Sequence, residues 1–170
     1  MKNFFSIALI ALFSAFISQA ETKIAIVDFM KVAEQLPEVQ DFNKDMQKQQ
    51  GMYMDTLSQR QQQLEVQIAE FQKNSGMMTE EMKQQKTAEL AASRQQLMVY
   101  QESKLGQQGE LAQKQQKFLM EIRDVIVNAI SEIAKKEKFN LVLEKSNALY
   151  SQDSMDITFT VIDRLKRGAN

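Results

Sequence analysis

From Phe29 onward, apolar residues recur at alternating steps of three and four: Phe29, Val32, Leu36, Val39, Met46, Tyr53, Leu57, Leu64 and Phe71. A repeat of this kind keeps one stripe of a helix turned toward a partner helix, which is the pattern of a coiled-coil seam. Asn43, Gln50, Arg60 and Gln67 interrupt the stripe, and polar seam residues weaken pairing while restricting its register. Pro37 predicts the first residue of a long helix, with residues 29–35 a short helical lead-in, because proline pushes the preceding residue out of the α region. The pattern stops at Asn74-Ser75-Gly76, where the glycine is expected to take the left-handed conformation that ends a helix. Thr79 followed by Glu80 and Glu81 predicts the next helix, with a hydroxyl cap and an acidic first turn.

The apolar positions of this second helix are Met82, Leu90, Leu97, Leu111, Phe118, Ile122, Val125, Ala129 and Ile133. Two long periodic helices joined by a few residues fold back antiparallel. At ~1.5 Å per residue, residues 38–73 make an arm on the order of 55 Å long. The middle of the second helix is poorly apolar, with Gln101, Lys104, Gln108 and Gln115 in seam-like positions and Gly106 and Gly109 nearby. Each glycine costs roughly 1 kcal/mol relative to Ala in a helix, so a soft segment is expected there, with Gly106 and Gly109 as hinge candidates.

The ends of the chain differ in character. Residues 22–28, 139–144 and 148–150 read as short strands with apolar residues on both faces, which then need cover on both sides. A last helix over residues 156–167, capped by Asp156 and carrying Ile157, Val161, Ile162 and Leu165, can cover one of them. The expected fold is therefore α+β and mostly helical. Residues 37–117 form a hairpin arm with its tip near 74–79, and residues 21–36 and 118–170 form a small β body with flanking helices. A body of roughly 70 residues is marginal in core burial, and oligomerisation is a usual remedy. The residues expected to build that oligomer body are Ile24, Ile26, Leu141, Leu143, Leu149, Ile157, Val161 and Leu165.

Ahead of this pattern stands a different one. Met1-Lys2 is a short basic start, residues 4–17 are an uncharged apolar run of 14, and Ser18-Gln19-Ala20 closes it with small residues. The run has the length of a secretory leader and is short of the ~20 residues of a membrane span, so cleavage between Ala20 and Glu21 is expected. Removing Lys2 leaves 20 basic and 22 acidic residues, a charge of -2. That balance argues against a nucleic-acid partner, whose electrostatic footprint is a clustered basic surface. Cysteine and histidine are both absent, which removes disulfides, thiolate nucleophiles and the commonest metal ligand and general base. No metal or other cofactor is expected, and no catalytic constellation is present to make an enzyme.

The strand after the leader (Lys23-Ile24-Ala25-Ile26-Val27-Asp28), the long polar hairpin and the C-terminal run together resemble the Skp/OmpH family of periplasmic chaperones. The most specific part is that C-terminal run: Ile126, then Lys135-Lys136-Glu137-Lys138-Phe139-Asn140-Leu141-Val142-Leu143-Glu144-Lys145, Ala148-Leu149-Tyr150 and Asp156-Ile157-Thr158. The resemblance implies a homotrimer with a β body and three helical tentacles around a cavity that holds unfolded outer-membrane β-barrel proteins without ATP. Three positions depart from the family's habit. Lys138 stands where a glycine is common, Glu144 where an aspartate is, and Phe159 where a polar residue often follows Asp-Ile-Thr. The slight acidity of the chain also counts against carrying over a lipopolysaccharide or anionic-membrane contact from basic relatives.

A surface that binds many unfolded sequences has to be apolar and adaptable, and methionine supplies both properties. Seven of the eleven methionines lie in the arm, at 46, 52, 54, 77, 78, 82 and 98. Met46 and Met82 fit the seam, Tyr53 is a seam residue first, and Tyr100 only flanks it. The candidate client contacts are Met52, Met54, Met77, Met78, Met82, Met98 and Tyr100. Lys73, Lys83, Lys86 and Arg94 near the tip are nearly cancelled by Glu80, Glu81 and Glu89, which reads as a solvated face. A structural spacer of the cell envelope is the competing reading, and it requires an apolar seam continuous along the arm.

Overall fold

The structure is a computed structural model that describes residues 22–168; the expected leader and its boundary at Ala20 and Glu21 lie outside them. Strand β1 (Ile24–Val27) leads into a short helix α1 (Phe29–Glu34), whose N-terminus is capped by Asp28 Oδ1 accepting from Lys31 N at 2.9 Å. Leu36 is extended, as a residue before proline must be, and α2 runs from Pro37 to Asn74. Its 38 residues at ~1.5 Å each give an arm of about 57 Å.

The tip differs from expectation. No glycine among the described residues has positive φ, so Gly76 does not end α2 in a left-handed cap. The helix tightens instead into a 3-10 turn over Ser75–Met77, and Met78 is extended. Thr79 then caps α3 (Glu80–Leu105), its Oγ1 accepting from Met82 N at 3.3 Å. The soft segment proves to be a full break. Helix α3 stops at Leu105, and α4 (Glu110–Glu137) begins after Gly109.

The body forms around the C-terminal half of α4. Ile122, Ile126, Ala129 and Ile133 meet Ala25 and Val27 of β1, Val32 of α1, Leu36, and Ile157, Val161 and Ile162 near and in the last helix, α5 (Thr158–Gly168). Strand β2 (Leu141–Glu144) pairs parallel to β1 in the register Ile24–Leu141 to Val27–Glu144. Parallel neighbours need a crossover, and here the crossover is the whole arm. The strand expected at 148–150 is absent. The chain leaves the sheet through a 3-10 turn at Lys145–Asn147, Leu149 and Tyr150 stand in solvent, and β1 gains its other neighbour only at Asp156, through one bridge to Ile26.

Two joints hold the body together. At the end of α4, Lys138 takes φ 59°, ψ 39°, the left-handed conformation that closes a helix, and is the only non-glycine with positive φ among the described residues. This is the position at which the family resemblance leads one to expect glycine. Asn140 beyond it exchanges two 2.8 Å hydrogen bonds with the Lys23 backbone, which seats the start of β1. At the start of α5, Asp156 is one residue too early to be the cap. Its Oδ1 instead accepts from Thr158 N at 2.9 Å and from Thr158 Oγ1 at 2.5 Å, and Lys145 pairs with Oδ2 at 2.6 Å. Buried Thr158 Oγ1 in turn accepts from Asp28 N at 2.9 Å, so one hydroxyl ties α5 to the start of α1. Burial pushes the Asp156 carboxyl up, but the bonds from Lys145 and Thr158 outweigh it and hold the group down at about 2.

Two predictions follow from these joints. Lys138→Gly relieves a left-handed cost of ~1 kcal/mol and should raise the thermal midpoint by about 2–4 °C in a calorimetric scan. Thr158→Val keeps the shape but strands the Asp28 N–H and one bond of Asp156, and urea unfolding should show a loss of about 1–3 kcal/mol.

Candidate functional site

The arm is a helix pair with a thin interior. Leu64 of α2 and Leu90 of α3 are its buried leucines, and Leu57, Ile68, Phe71 and Leu97 are half-buried along the same line. On α3 the residues turned inward are Lys83, Lys86, Leu90, Ser93, Leu97, Tyr100 and Lys104, spaced strictly three and four. On α2 the expected ladder is displaced by one residue in three places. Asn43, Gln50 and Gln67 are exposed, and their neighbours Phe42, Gln49 and Ile68 face the partner instead. A straight α-helix drifts against a 3.5-residue repeat, and the residue with a partner across the gap takes the inner place. Phe42 stacks on Phe118 of α4 with ring centroids 3.8 Å apart and planes within 8°.

Two candidate contacts change standing. Met82 is 52% exposed and off the packed line, so it is not a seam residue, whereas Met46 is half-buried on it. Tyr100 is not a flanking residue. Its ring meets Tyr53 edge to face at 6.4 Å, with the Arg60 guanidinium 4.3 Å over it. Met52, Met54, Met77 and Met98 stand exposed, and Met78 is half-buried at the tip. The basic tip residues Lys83 and Lys86 pair with Glu80 at 2.7 Å and Glu89 at 3.0 Å.

A further apolar stripe escaped the sequence reading. Leu119, Met120 and Val127 of α4 are between 43% and 58% exposed; Leu119 and Met120 line one shallow groove, Val127 lines a second with Met30, Val142 and Leu143, and Arg123 borders both. The signal was present as apolar residues on the side of α4 opposite Phe118 and Ile122, but a one-stripe reading of the helix ignored it. The proposed body residues also divide. Ile26, Ile157 and Val161 are buried within the single chain and Leu165 is half-buried against its core, so these four contribute to the interior of the protomer itself. Leu141, Leu143 and Leu149 are exposed, and half-buried Ile24 pairs with Leu141.

Between the outer arm and the body lies a polar clasp. Glu110, in the first turn of α4, accepts hydrogen bonds from the Tyr53 hydroxyl of α2 at 2.5 Å and from the Lys104 ammonium of α3. Lys114 pairs with it at 3.4 Å and donates to Gln49 Oε1 at 2.5 Å, and Gln49 donates to the Tyr53 hydroxyl at 2.8 Å. The bond from Lys104, then that from Tyr53, hold the Glu110 carboxyl well below the usual range, at about 2. The same carboxylate raises the Tyr53 phenol and the Lys104 ammonium. The glycines at the break are needed for space and not for an unusual φ. An added Cβ would lie 2.5 Å from the Glu102 carbonyl oxygen at Gly106 and 2.8 Å from it at Gly109.

Fold and surface together define a class: a long helical hairpin on a small parallel-sheet foot, with large apolar side chains left in the open. The chain belongs to the OmpH-like family, described as outer membrane protein (OmpH-like), which it matches over residues 23–165. A crystal structure from Caulobacter crescentus, described as that of a candidate outer membrane chaperone (OmpH-like), superposes with a TM-score of 0.75 over 88% of this chain and 86% of that one. The two are 14% identical, so the likeness speaks for the fold. No curated protein matches the sequence significantly.

Because the Glu110 carboxyl is depressed from its ordinary 4.5, its stabilisation is complete above that value and is lost as pH falls toward about 2. Tyrosine near-ultraviolet dichroism should therefore stay level from pH 8 to about 5 and decay only below it. In Glu110→Gln the signal from the clasp should already be reduced at neutral pH, with the acid step diminished.

Proposed function

We propose that this protein is an ATP-independent holding chaperone of the periplasm, which takes unfolded outer-membrane β-barrel proteins between its arms and keeps them from aggregating. The observation that carries this reading is the exposure of Met52, Met54, Met77, Met98, Leu119 and Met120 on a helical frame that buries little of its own apolar surface. Such side chains repack against many sequences at low cost, which is what a client without a fixed structure requires. Family membership supports the reading, as does the outer-membrane chaperone description of the structural neighbour. An outer-membrane client and an expected leader peptide fit a periplasmic location. The competing spacer needs an unbroken apolar seam, whereas this arm is interrupted at Gly106–Gly109 and stitched there by polar groups.

A single chain leaves Leu141, Leu143 and Leu149 uncovered, and a homotrimer that packs these faces together would complete the body and set three arms around one cavity. Light scattering should return three times the subunit mass.

The functional test dilutes a urea-denatured outer-membrane β-barrel protein into buffer with and without this protein and follows turbidity. Suppression is expected at near-stoichiometric chaperone and without nucleotide; identical turbidity in both samples would refute the proposal. Leu119→Ser combined with Met120→Ser should weaken client affinity by about thirtyfold, since each large apolar side chain contributes on the order of 1 kcal/mol on further burial.

A further inference from the structure

We propose that Glu110 is a latch on a two-sided hinge, so that the glycines of the arm fix where it bends and the Glu110 contacts fix whether it does. The contacts at this level are unlike those elsewhere in the arm. Toward the tip the helices are held by Leu64 and Leu90, and toward the body by the Phe42–Phe118 stack and buried Ile122. Between them, no fully buried leucine, isoleucine or phenylalanine among the described residues joins the helices; the Tyr53 ring meets Tyr100 edge to face, and the polar contacts are those of Glu110, Tyr53, Lys104, Lys114 and Gln49.

One helix of the pair is already interrupted here. Helical hydrogen bonding lapses after Gly106 N–H reaches Glu102 O at 3.0 Å, and it resumes with Gln113 N–H to Gly109 O at 3.0 Å. The other helix is continuous, yet it carries its only glycine, Gly51, at this same level, between clasp residues Gln49 and Tyr53. A Cβ at Gly51 would meet nothing within 4 Å, so packing does not ask for glycine there. A glycine with no steric reason in the interior of a helix lowers the local cost of bending. Both rods of the arm are thus weakest at one height, and at that height Glu110 ties α2, α3 and α4 to one another.

The bonds are charge-assisted and partly exposed, with the Glu110 side chain 35% accessible, so the latch responds to ionic strength. This inference does not depend on the client reading, because its readout is a distance within the protein alone.

The chain has no cysteine, so a pair introduced at Ala88 in the outer arm and Lys135 in the body can be spin-labelled without further changes. Labelled full-length chain, diluted into excess unlabelled chain, is measured by pulsed electron resonance. The wild type should give one narrow distance distribution, and Glu110→Gln and the milder Tyr53→Phe should broaden it about twofold, as should salt near 0.5 M in the wild type. Adding Gly51→Ala to Glu110→Gln should narrow the distribution again. Equal widths for wild type and both single variants at unchanged helicity would overturn the latch, and no narrowing by Gly51→Ala would overturn the two-sided hinge.

Discussion

Two helices packed only against each other can bury one stripe apiece, and this geometric limit governs the molecule. A third layer would close a core, but the arm has none, so buried leucine is confined to Leu64 and Leu90 over most of its length. The arm therefore depends on local helix formation and on being anchored at its foot, where α4 runs without interruption from the clasp into the body core. Apolar side chains left in solvent along the arm follow from the same limit: there is no second surface within the chain for them to cover.

Where hydrophobic burial is scarce, charged and polar groups hold the joints. Glu110 fastens three helices at mid-arm, and Asp156 with Thr158 fastens α5 to the start of α1. Both carboxyls are driven well below their ordinary range, by specific donors and against the opposing effect of desolvation. Depressed carboxyls of this kind often mark reaction centres. Here each lies at the first turn of a helix or just before it, bonded to lysine and hydroxyl groups whose evident role is to fix one element on another.

Much of this was legible in the chain, and the reasons are specific. Pro37 and Thr79 dictate helix starts through backbone chemistry, so those boundaries were placed to the residue. The paired glycines at 106 and 109 announced weakness, though not that the helix would stop, because a glycine cost says nothing about which carbonyl a Cβ would strike. Gly76 misled, since a loop glycine permits a left-handed cap without requiring one, and Lys138 took that conformation elsewhere despite its side chain. The seam was read to within one residue. Choosing Phe42 over Asn43 or Ile68 over Gln67 needs the partner helix in place, as does knowing that Tyr100 faces Tyr53. The apolar 148–150 run failed as a strand because the 3-10 turn at Lys145–Asn147 carries the chain away from the sheet directly after β2.

The pairing of β1 with β2 joins residues 117 positions apart, with Lys23 and Asn140 bonded at its head. Closing a loop of that length from an open coil is slow and entropically unfavourable, but a hairpin that zips locally from its tip shortens the effective separation to a few residues. During synthesis the first strand emerges long before its partner exists and waits unpaired until the second half of the arm has folded back. The foot is thus the last part of the subunit to form, and the sheet closes only once the chain is complete through β2.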